Sequence, residues 1–211
     1  YVTALIVKKL RDAGLNGGYY KAALSGAVRD EGGELQPGDA LYVKKVAGIG
    51  EEASNLVSYI YEEAVSPHLA AKINREPINF GRVETDYRRA KEKYEYLTME
   101  GSGGIICPLR WDESQHMVLD DLVKHLNLGV LIVADAGLGT INSAVLTIEH
   151  LRARGIPIRG IVFNNYLPQD IMQEDNARMI EEMTGVKVLA YVKKGDRDLD
   201  IRVEVLKGLY E

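Results

Sequence analysis

The stretch that decides the fold runs from residue 130 to residue 165 and reads VLIVADAGLGTINSAVLTIEHLRARGIPIRGIVFNN. Its aliphatic start, Val130–Ala134, predicts a buried strand, and a second apolar run, Ile158–Asn164, predicts another. Between them, Thr140–Arg154 has helical patterning, with its first residue as the candidate N-cap and a glycine just after its last turn. A strand, a helix and a strand in this order form a βαβ unit, the building block of a parallel sheet.

The same alternation of short apolar strands and longer helices continues on both sides of this stretch. Further strands are expected at Gly18–Leu24, Tyr96–Glu100 and Val186–Val192, and a loop at Val28–Pro37. Helices are expected at Tyr1–Ala13, Asp39–Val46, Glu51–Tyr61, His68–Ile73, Asn79–Glu95, Val118–Leu126, Gln169–Thr184 and Leu199–Tyr210. We therefore predict a single α/β domain over residues 1–211, with a mostly parallel doubly wound sheet and helices on both faces.

Composition narrows the classes of function. The chain has 211 residues and a net charge of −5, which argues against a general nucleic-acid binder. Its one cysteine, Cys107, excludes an internal disulfide framework and a cysteine-rich zinc site. The aliphatic run at Val130–Ala134 falls far short of the roughly 20 residues that a membrane span needs. We expect neither a nucleic-acid partner nor a membrane partner.

Ligands of parallel sheets bind beyond the carboxyl ends of the strands, so the residues that follow each strand carry the functional information. Lys21, with the hydroxyl of Ser25 four residues on, could hold an anion; the alternative is a solvated lysine. Glu100, followed by the glycine-rich loop 101–104, suits a Mg²⁺ site beside phosphates. The alternative there is a flexible turn with an exposed carboxylate.

Two further strand ends carry polar groups. The loop 135–139 leads into a helix that starts at Thr140, where free N–H groups favour an anion; the alternative is a connector with a threonine cap. Asn164 can pair with a purine edge, although asparagine is also a common turn residue. No G-x-x-x-x-G-K-[ST] phosphate loop occurs in the sequence. The residues alone therefore indicate an anion-binding or phosphate-using α/β enzyme.

Four segments, in this order and spacing, resemble those of the dethiobiotin synthetases, a family of the P-loop superfamily. They are GYYKAALSGA (18–27), VSPHLAAKINREPI (65–78), TMEGSGGIICPL (98–109) and ADAGLGTINSAVLTIEHLRARGIPIRGIVFN (134–164). The chain departs from the family pattern at Ala22, where proline is usual, at Ser102, where alanine is usual, and at residues 192–194, where a proline often lies by the adenine. In the family a first strand and a P-loop precede the first helix, so we expect both upstream of Tyr1.

The resemblance implies an ATP- and Mg²⁺-dependent cyclo-ligase of biotin biosynthesis. Such an enzyme joins CO₂, supplied as CO₂ or bicarbonate, to 7,8-diaminononanoate and closes the ring of dethiobiotin. The family also implies a cytoplasmic homodimer with its active site at the subunit interface.

The resemblance assigns roles to charged residues of the first half of the chain. Lys21 would neutralise the carbamate and the transferring phosphate, and Ser25 would hydrogen-bond the carbamate. Asp39 and Glu100 would hold Mg²⁺; the alternative for Asp39 is a helix N-cap. Glu100 and Gly103 would also lie in the nucleotide site.

In the second half, the resemblance points to a helix start and a strand end. Thr140, Ile141 and Asn142 would take the substrate carboxylate of the neighbouring subunit, and Asn164 would read the adenine. We expect His68 and Cys107 to be structural rather than catalytic.

Three alternatives stay open. An ATP-dependent amide-forming synthase of the same superfamily usually carries an added glutaminase domain, for which this chain has no room. A partition-type ATPase would need a basic surface or an amphipathic anchor. A catalytically dead homologue is the third.

Overall fold

The computed structural model describes every residue from 1 to 211. The chain packs as two compact units, residues 3–126 with Tyr1 and residues 127–211 with Val2. Each unit has its own three-stranded parallel sheet with helices packed against the strands. The predicted α/β class, with parallel strands and flanking helices, is therefore confirmed.

In the first unit the three-stranded sheet has the order β4-β1-β5, and two short antiparallel pairs, β2-β3 and β6-β7, accompany it; the bounds of the elements follow. They are α1 Val2–Asp12, β1 Gly17–Ser25, β2 Val28–Arg29, β3 Leu35–Gln36, α2 Gly38–Ala47, a 3₁₀ turn Ala53–Leu56, β4 Val57–Tyr61, α3 Pro67–Ile73, α4 Phe80–Lys93, β5 Tyr96–Glu100, β6 Pro108–Trp111, β7 His116–Val118 and α5 Leu119–His125.

Strand β1 is the centre of the first unit, and it is buried from Gly17 to Leu24. A strand covered on both faces has no alternation of polar and apolar residues, which fits its near-continuous apolar sequence. On one face the Tyr20 hydroxyl donates to the carbonyl of Val83 in α4. On the other face Lys21 reaches Asp39 in α2. Helices therefore lie against both faces of this strand.

The prediction of a helix at Glu51–Tyr61 was wrong. Only Ala53–Leu56 is helical, as a 3₁₀ turn, and Val57–Tyr61 is strand β4. Its β-branched and aromatic residues pair in parallel with β1, with Ala23 opposite Tyr59. This long-range pairing outweighs the local pattern. The loop expected at Val28–Pro37 also contains the short strands β2 and β3.

The second unit has the strand order β10-β9-β8, and its two long helices pack against each other. Its elements are β8 Val130–Asp135, α6 Thr140–Ala153, β9 Ile158–Asn164, α7 Ile171–Thr184, β10 Val188–Val192 and α8 Val203–Gly208.

Helix α6 begins differently from the prediction that Thr140 is its N-cap. Gly139 is the N-cap, in the left-handed region with φ +90°, and Thr140 is the first helical residue. Glycine suits this backbone because it carries no Cβ. The Thr140 side chain is thereby released from capping. None of the helices of either unit is both long and apolar enough to cross a membrane.

Candidate active site

Three charged residues of the first unit meet in what we call the lysine cluster: Lys21, Asp39 and Glu100. The Lys21 Nζ lies 2.5 Å from Asp39 Oδ2 and 3.4 Å from Glu100 Oε1. The Lys21 side chain is only 7% exposed, whereas the Asp39 side chain is 51% exposed. One ammonium is thus shared between two carboxylates at the edge of solvent, which leaves a net charge of about −1.

The sheet explains why these residues meet. In the parallel pairing of β1 with β5, Lys21 stands opposite Glu100, the last residue of its strand. Asp39 lies in the first turn of α2, and it makes no capping hydrogen bond there. The alternative reading of Asp39 as an N-cap is therefore wrong. Its carboxylate is turned to Lys21 instead.

Two carboxylates beside a cavity fit the needs of a divalent cation. A cavity of about 370 Å³ is lined by Tyr1, Asp39, Tyr42, Val43 and Glu100. Mg²⁺ is commonly held by one or two carboxylates together with waters and substrate phosphates, so two protein oxygens suffice. No group of three or more His, Cys, Asp or Glu side chains forms a closed metal cage in this chain. Asp39 and Glu100 would therefore share a cation with waters and substrate oxygens.

Ser25 ends the strand that carries Lys21, and Gly103 follows the strand that carries Glu100. Ser25 is the last residue of β1 and shares a face with Lys21, about 13 Å further along the strand at roughly 3.3 Å per residue. Gly103 has φ +77°, and a Cβ there would lie 2.9 Å from the Cys107 Sγ. The turn therefore requires glycine for a steric reason as well. Burial raises the pKa of the Cys107 thiol, which suits a structural role.

Sequence reasoning missed one residue that fixes the loop after Glu100. The Ser102 hydroxyl donates to the carbonyl of Ala23 in β1. From the sequence, serine at this position is only a departure from the family pattern. The structure makes it an anchor that ties the glycine loop to the central strand.

In the second unit, helix α6 begins with a threonine whose side-chain environment is unusual. Thr140 is 4% exposed, and its hydroxyl is buried without a hydrogen-bond partner. Ile141 is half-buried and Asn142 is exposed. A buried hydroxyl beside the free N–H groups of a helix start suits a carboxylate ligand.

Polar side chains hold the loops of the second unit in what we call the amide network: Asp135, Asn165, Gln173 and Asn176. The Asn165 amide donates to Asp135 Oδ2 over 2.7 Å, and the buried Asn176 amide donates to the carbonyls of Ala136 and Gly137 over 3.1 and 3.2 Å. The Gln173 Oε1 accepts from the Leu167 N–H at 2.7 Å. These contacts fix the loops that follow β8 and β9.

The hydrogen bonds of the amide network also change the pKa of Asp135. Hydrogen bonds from the Asn165 amide and then from the Gly137 N–H lower the pKa of Asp135 below its ordinary value. Asn164 closes β9 between Asp135 of β8 and Val192 of β10, and its carbonyl accepts from the Ala136 N–H. Asn164 therefore lies at the strand end where the sequence predicted it, beside the loop that leads to Thr140.

Comparison with known proteins identifies the family. Residues 1–197 match the model of a family described as an AAA domain. The chain is 47% identical over 200 residues to the ATP-dependent dethiobiotin synthetase BioD of Brachyspira hyodysenteriae, covering 95% of this chain and 88% of that protein. The chain belongs to the dethiobiotin synthetase family. It is also 46% identical to the BioD protein of Clostridium botulinum, covering 100% of this chain and 92% of that one.

Solved structures with a similar fold have much lower sequence identity to this chain. The MinC:MinD cell division protein complex of Aquifex aeolicus gives a TM-score of 0.52 at 12% identity, covering 98% of this chain and 79% of that chain. A ParA family ATPase from Chlorobium tepidum gives a TM-score of 0.51 at 16% identity, covering 99% and 82%. At these identities the likeness concerns the fold alone, so it adds nothing in favour of a partition-type function.

Proposed function

We propose that this protein is a dethiobiotin synthetase that uses ATP to join CO₂ to 7,8-diaminononanoate and to close the ureido ring. The observation that carries the proposal is the lysine cluster, in which Lys21 lies between Asp39 and Glu100 beside a cavity. Family membership supports the same reaction. We further propose that the chain acts as a single domain in the cytoplasm.

The reaction needs positive charge at the step in which an anionic carbamate attacks ATP. An amine of the substrate takes up CO₂ and loses a proton to give a carbamate, and a carbamate oxygen then attacks the γ-phosphorus of ATP. ADP leaves, and a mixed carbamic–phosphoric anhydride remains. The second amine attacks the carbamate carbon and loses a proton, phosphate departs and the ring closes. Phosphoryl transfer of this kind depends on positioning and on charge stabilisation.

Lys21 supplies that charge in our proposal. Its ammonium is almost fully buried, so its interaction with an anion is weakly screened. To act, it has to exchange a carboxylate partner for the carbamate or the phosphate. The longer of its two contacts, the one to Glu100 at 3.4 Å, is the easier to give up. Ser25, at the end of the same strand, would hydrogen-bond the carbamate.

Asp39 and Glu100 would hold Mg²⁺, and Gly103 would lie close to the nucleotide. When bound there, Mg²⁺ would neutralise phosphate charge and orient the triphosphate. The half-exposed Asp39 and the partly buried Glu100 are open to the cavity, which supports this assignment. Asn164 would contact the adenine.

Thr140, Ile141 and Asn142 would bind the carboxylate of 7,8-diaminononanoate. The buried hydroxyl of Thr140 has no partner within the chain, so a ligand oxygen would satisfy it. We propose that the working unit is a homodimer in which this helix start serves the neighbouring active site.

The test is phosphate release from Mg-ATP and bicarbonate, with and without 7,8-diaminononanoate, on the protein as expressed from its natural gene. We expect release that depends on the diamine, together with a product of the mass of dethiobiotin. Omitting bicarbonate should abolish both. Release that is unchanged by the diamine would overturn the proposal.

A further inference from the structure

Two neighbouring tyrosines of β1 differ in how their hydroxyls are satisfied. Tyr20 is 1% exposed, and its hydroxyl bonds Ser58 Oγ at 2.7 Å and the Val83 carbonyl at 3.0 Å. Tyr19 is 0% exposed, yet its hydroxyl makes no hydrogen bond of ordinary geometry. Buried hydroxyls are almost always paired, so an unpaired one needs a reason.

The strand geometry directs Tyr19 to the lysine cluster. Side chains two residues apart on a strand share a face, so Tyr19 lies on the face of Lys21 while Tyr20 lies on the other. In the pairing with β5, Tyr19 stands opposite Thr98 and Lys21 stands opposite Glu100. Burial first, and then the charge and the close approach of the Glu100 carboxylate, raise the pKa of Tyr19. The Tyr19 hydroxyl is thus a buried donor on the face of the strand that carries the lysine cluster.

The lysine cluster has too few donors for its carboxylates. One ammonium serves both Asp39 and Glu100, and it lies nearer to Asp39, at 2.5 Å against 3.4 Å. When Lys21 turns to an anionic substrate, Glu100 loses this partner. The Tyr19 O–H is the buried donor on the same face that can replace it.

We propose that Tyr19 is a positioning residue whose hydroxyl donates to Glu100 once Lys21 engages the substrate, and so holds that carboxylate in place for the divalent cation. This inference rests on the proposed function, because it needs Lys21 and Glu100 in the roles given above. Tyr19 itself touches neither the cation nor the reacting atoms.

The test compares Tyr19→Phe with the matched control Tyr20→Phe, each of which removes one buried hydroxyl from the same strand. The probe is Mn²⁺, titrated by electron paramagnetic resonance in the presence of a non-hydrolysable ATP analogue. The Mg²⁺ concentration for half-maximal phosphate release and the thermal midpoint complete the comparison.

We expect Tyr19→Phe to weaken Mn²⁺ binding about tenfold, the lower end of what loss of a group that orients a metal ligand costs. The Mg²⁺ requirement should rise in parallel, with no fall in the thermal midpoint, because the lost hydroxyl has no partner. Tyr20→Phe should lower the thermal midpoint and leave Mn²⁺ binding as in the wild type.

Wild-type Mn²⁺ affinity in Tyr19→Phe would overturn the proposal, as would equal changes in both variants, which would indicate a structural role. A wild-type protein that binds no Mn²⁺ would overturn it too, since Glu100 would then hold no cation. Mn²⁺ binding needs no turnover. Failure of the proposed reaction would therefore appear separately, as absence of diamine-dependent product.

Discussion

The lysine cluster of the first unit consists of charged side chains, whereas the amide network of the second unit consists mainly of neutral ones. The first shares one buried ammonium between two carboxylates, and its net charge is unbalanced. The second uses mainly neutral amides, such as the buried Asn176, to hold backbone carbonyls. A charged cluster can exchange partners with an ionic substrate, whereas neutral amides fix loops without attracting ions. The mobile charge therefore lies in the lysine cluster, while the amide network fixes the shape of its loops.

The sharpest way to break this comparison is Lys21→Met. Loss of a well-placed charge that stabilises a transition state typically costs about 10²–10³ in rate, and we expect diamine-dependent phosphate release to fall by that amount. Circular dichroism should verify that the variant is folded. The matched control is Lys8→Met, which removes a partly exposed lysine paired with Asp12 and should leave the rate unchanged. A Lys21→Met variant with wild-type rate would refute the role of the cluster.

Thr140→Val tests whether the second unit binds the substrate through a neutral hydroxyl rather than through a charge. The change removes a buried hydroxyl that has no partner, so we expect the free energy of unfolding to stay equal or to rise. We expect the KM for 7,8-diaminononanoate to rise roughly 5- to 150-fold, the equivalent of about 1–3 kcal/mol, with little change in kcat.

The control for this variant is Thr147→Val in the same helix, whose hydroxyl donates to the Ser143 carbonyl and faces no proposed ligand. Its KM should match that of the wild type. An unchanged KM in Thr140→Val would remove this threonine from the substrate site.

Asn176→Leu sharpens the comparison because it removes an amide that only holds the loop after β8 in place. The carbonyls of Ala136 and Gly137 would lose their buried donor, at a cost of about 1–3 kcal/mol in the free energy of unfolding. Chemical denaturation measures this change, and the exposed Asn55→Ala serves as a control within about 0.5 kcal/mol of the wild type. Full stability in Asn176→Leu would show that the network is dispensable.

The smallest effect is expected at Asp135. Its pKa is lowered in the folded state, so its contribution to stability is present above the ordinary value of 3.8 and is lost as the pH falls below it. Asn165→Gly removes the main hydrogen bond and keeps the left-handed backbone, with φ +58°, accessible. We expect a loss of less than about 1 kcal/mol at pH 7 that shrinks towards pH 3. Denaturation at both pH values checks this, and an equal loss at both would contradict it.

Much of the fold followed from local patterns. The spacing of apolar residues placed the helix Asn79–Glu95 close to its observed bounds, Phe80–Lys93. The strand–helix–strand stretch from Val130 to Asn164 was also predicted within a residue or two. In these segments the local period and the buried face agree, so local information suffices.

The error at Glu51–Tyr61 has a specific cause. Val57–Tyr61 becomes a strand because β1 offers it a partner, and no local rule contains that partner. Segments whose structure depends on distant hydrogen bonds are the ones that propensity misjudges.

The sequence by itself determined the α/β class, the order of most elements, the strand ends at Glu100 and Asn164 and the helix start at Thr140. Only the tertiary structure decided that Lys21 is shared between Asp39 and Glu100, that Ser102 ties its loop to β1, and that the hydroxyls of Tyr19 and Thr140 are buried without partners. The physical reason is that periodicity reports which face of an element is buried. Hydrogen-bond partners and charge pairs depend on residues far apart in the chain, which come together only on folding.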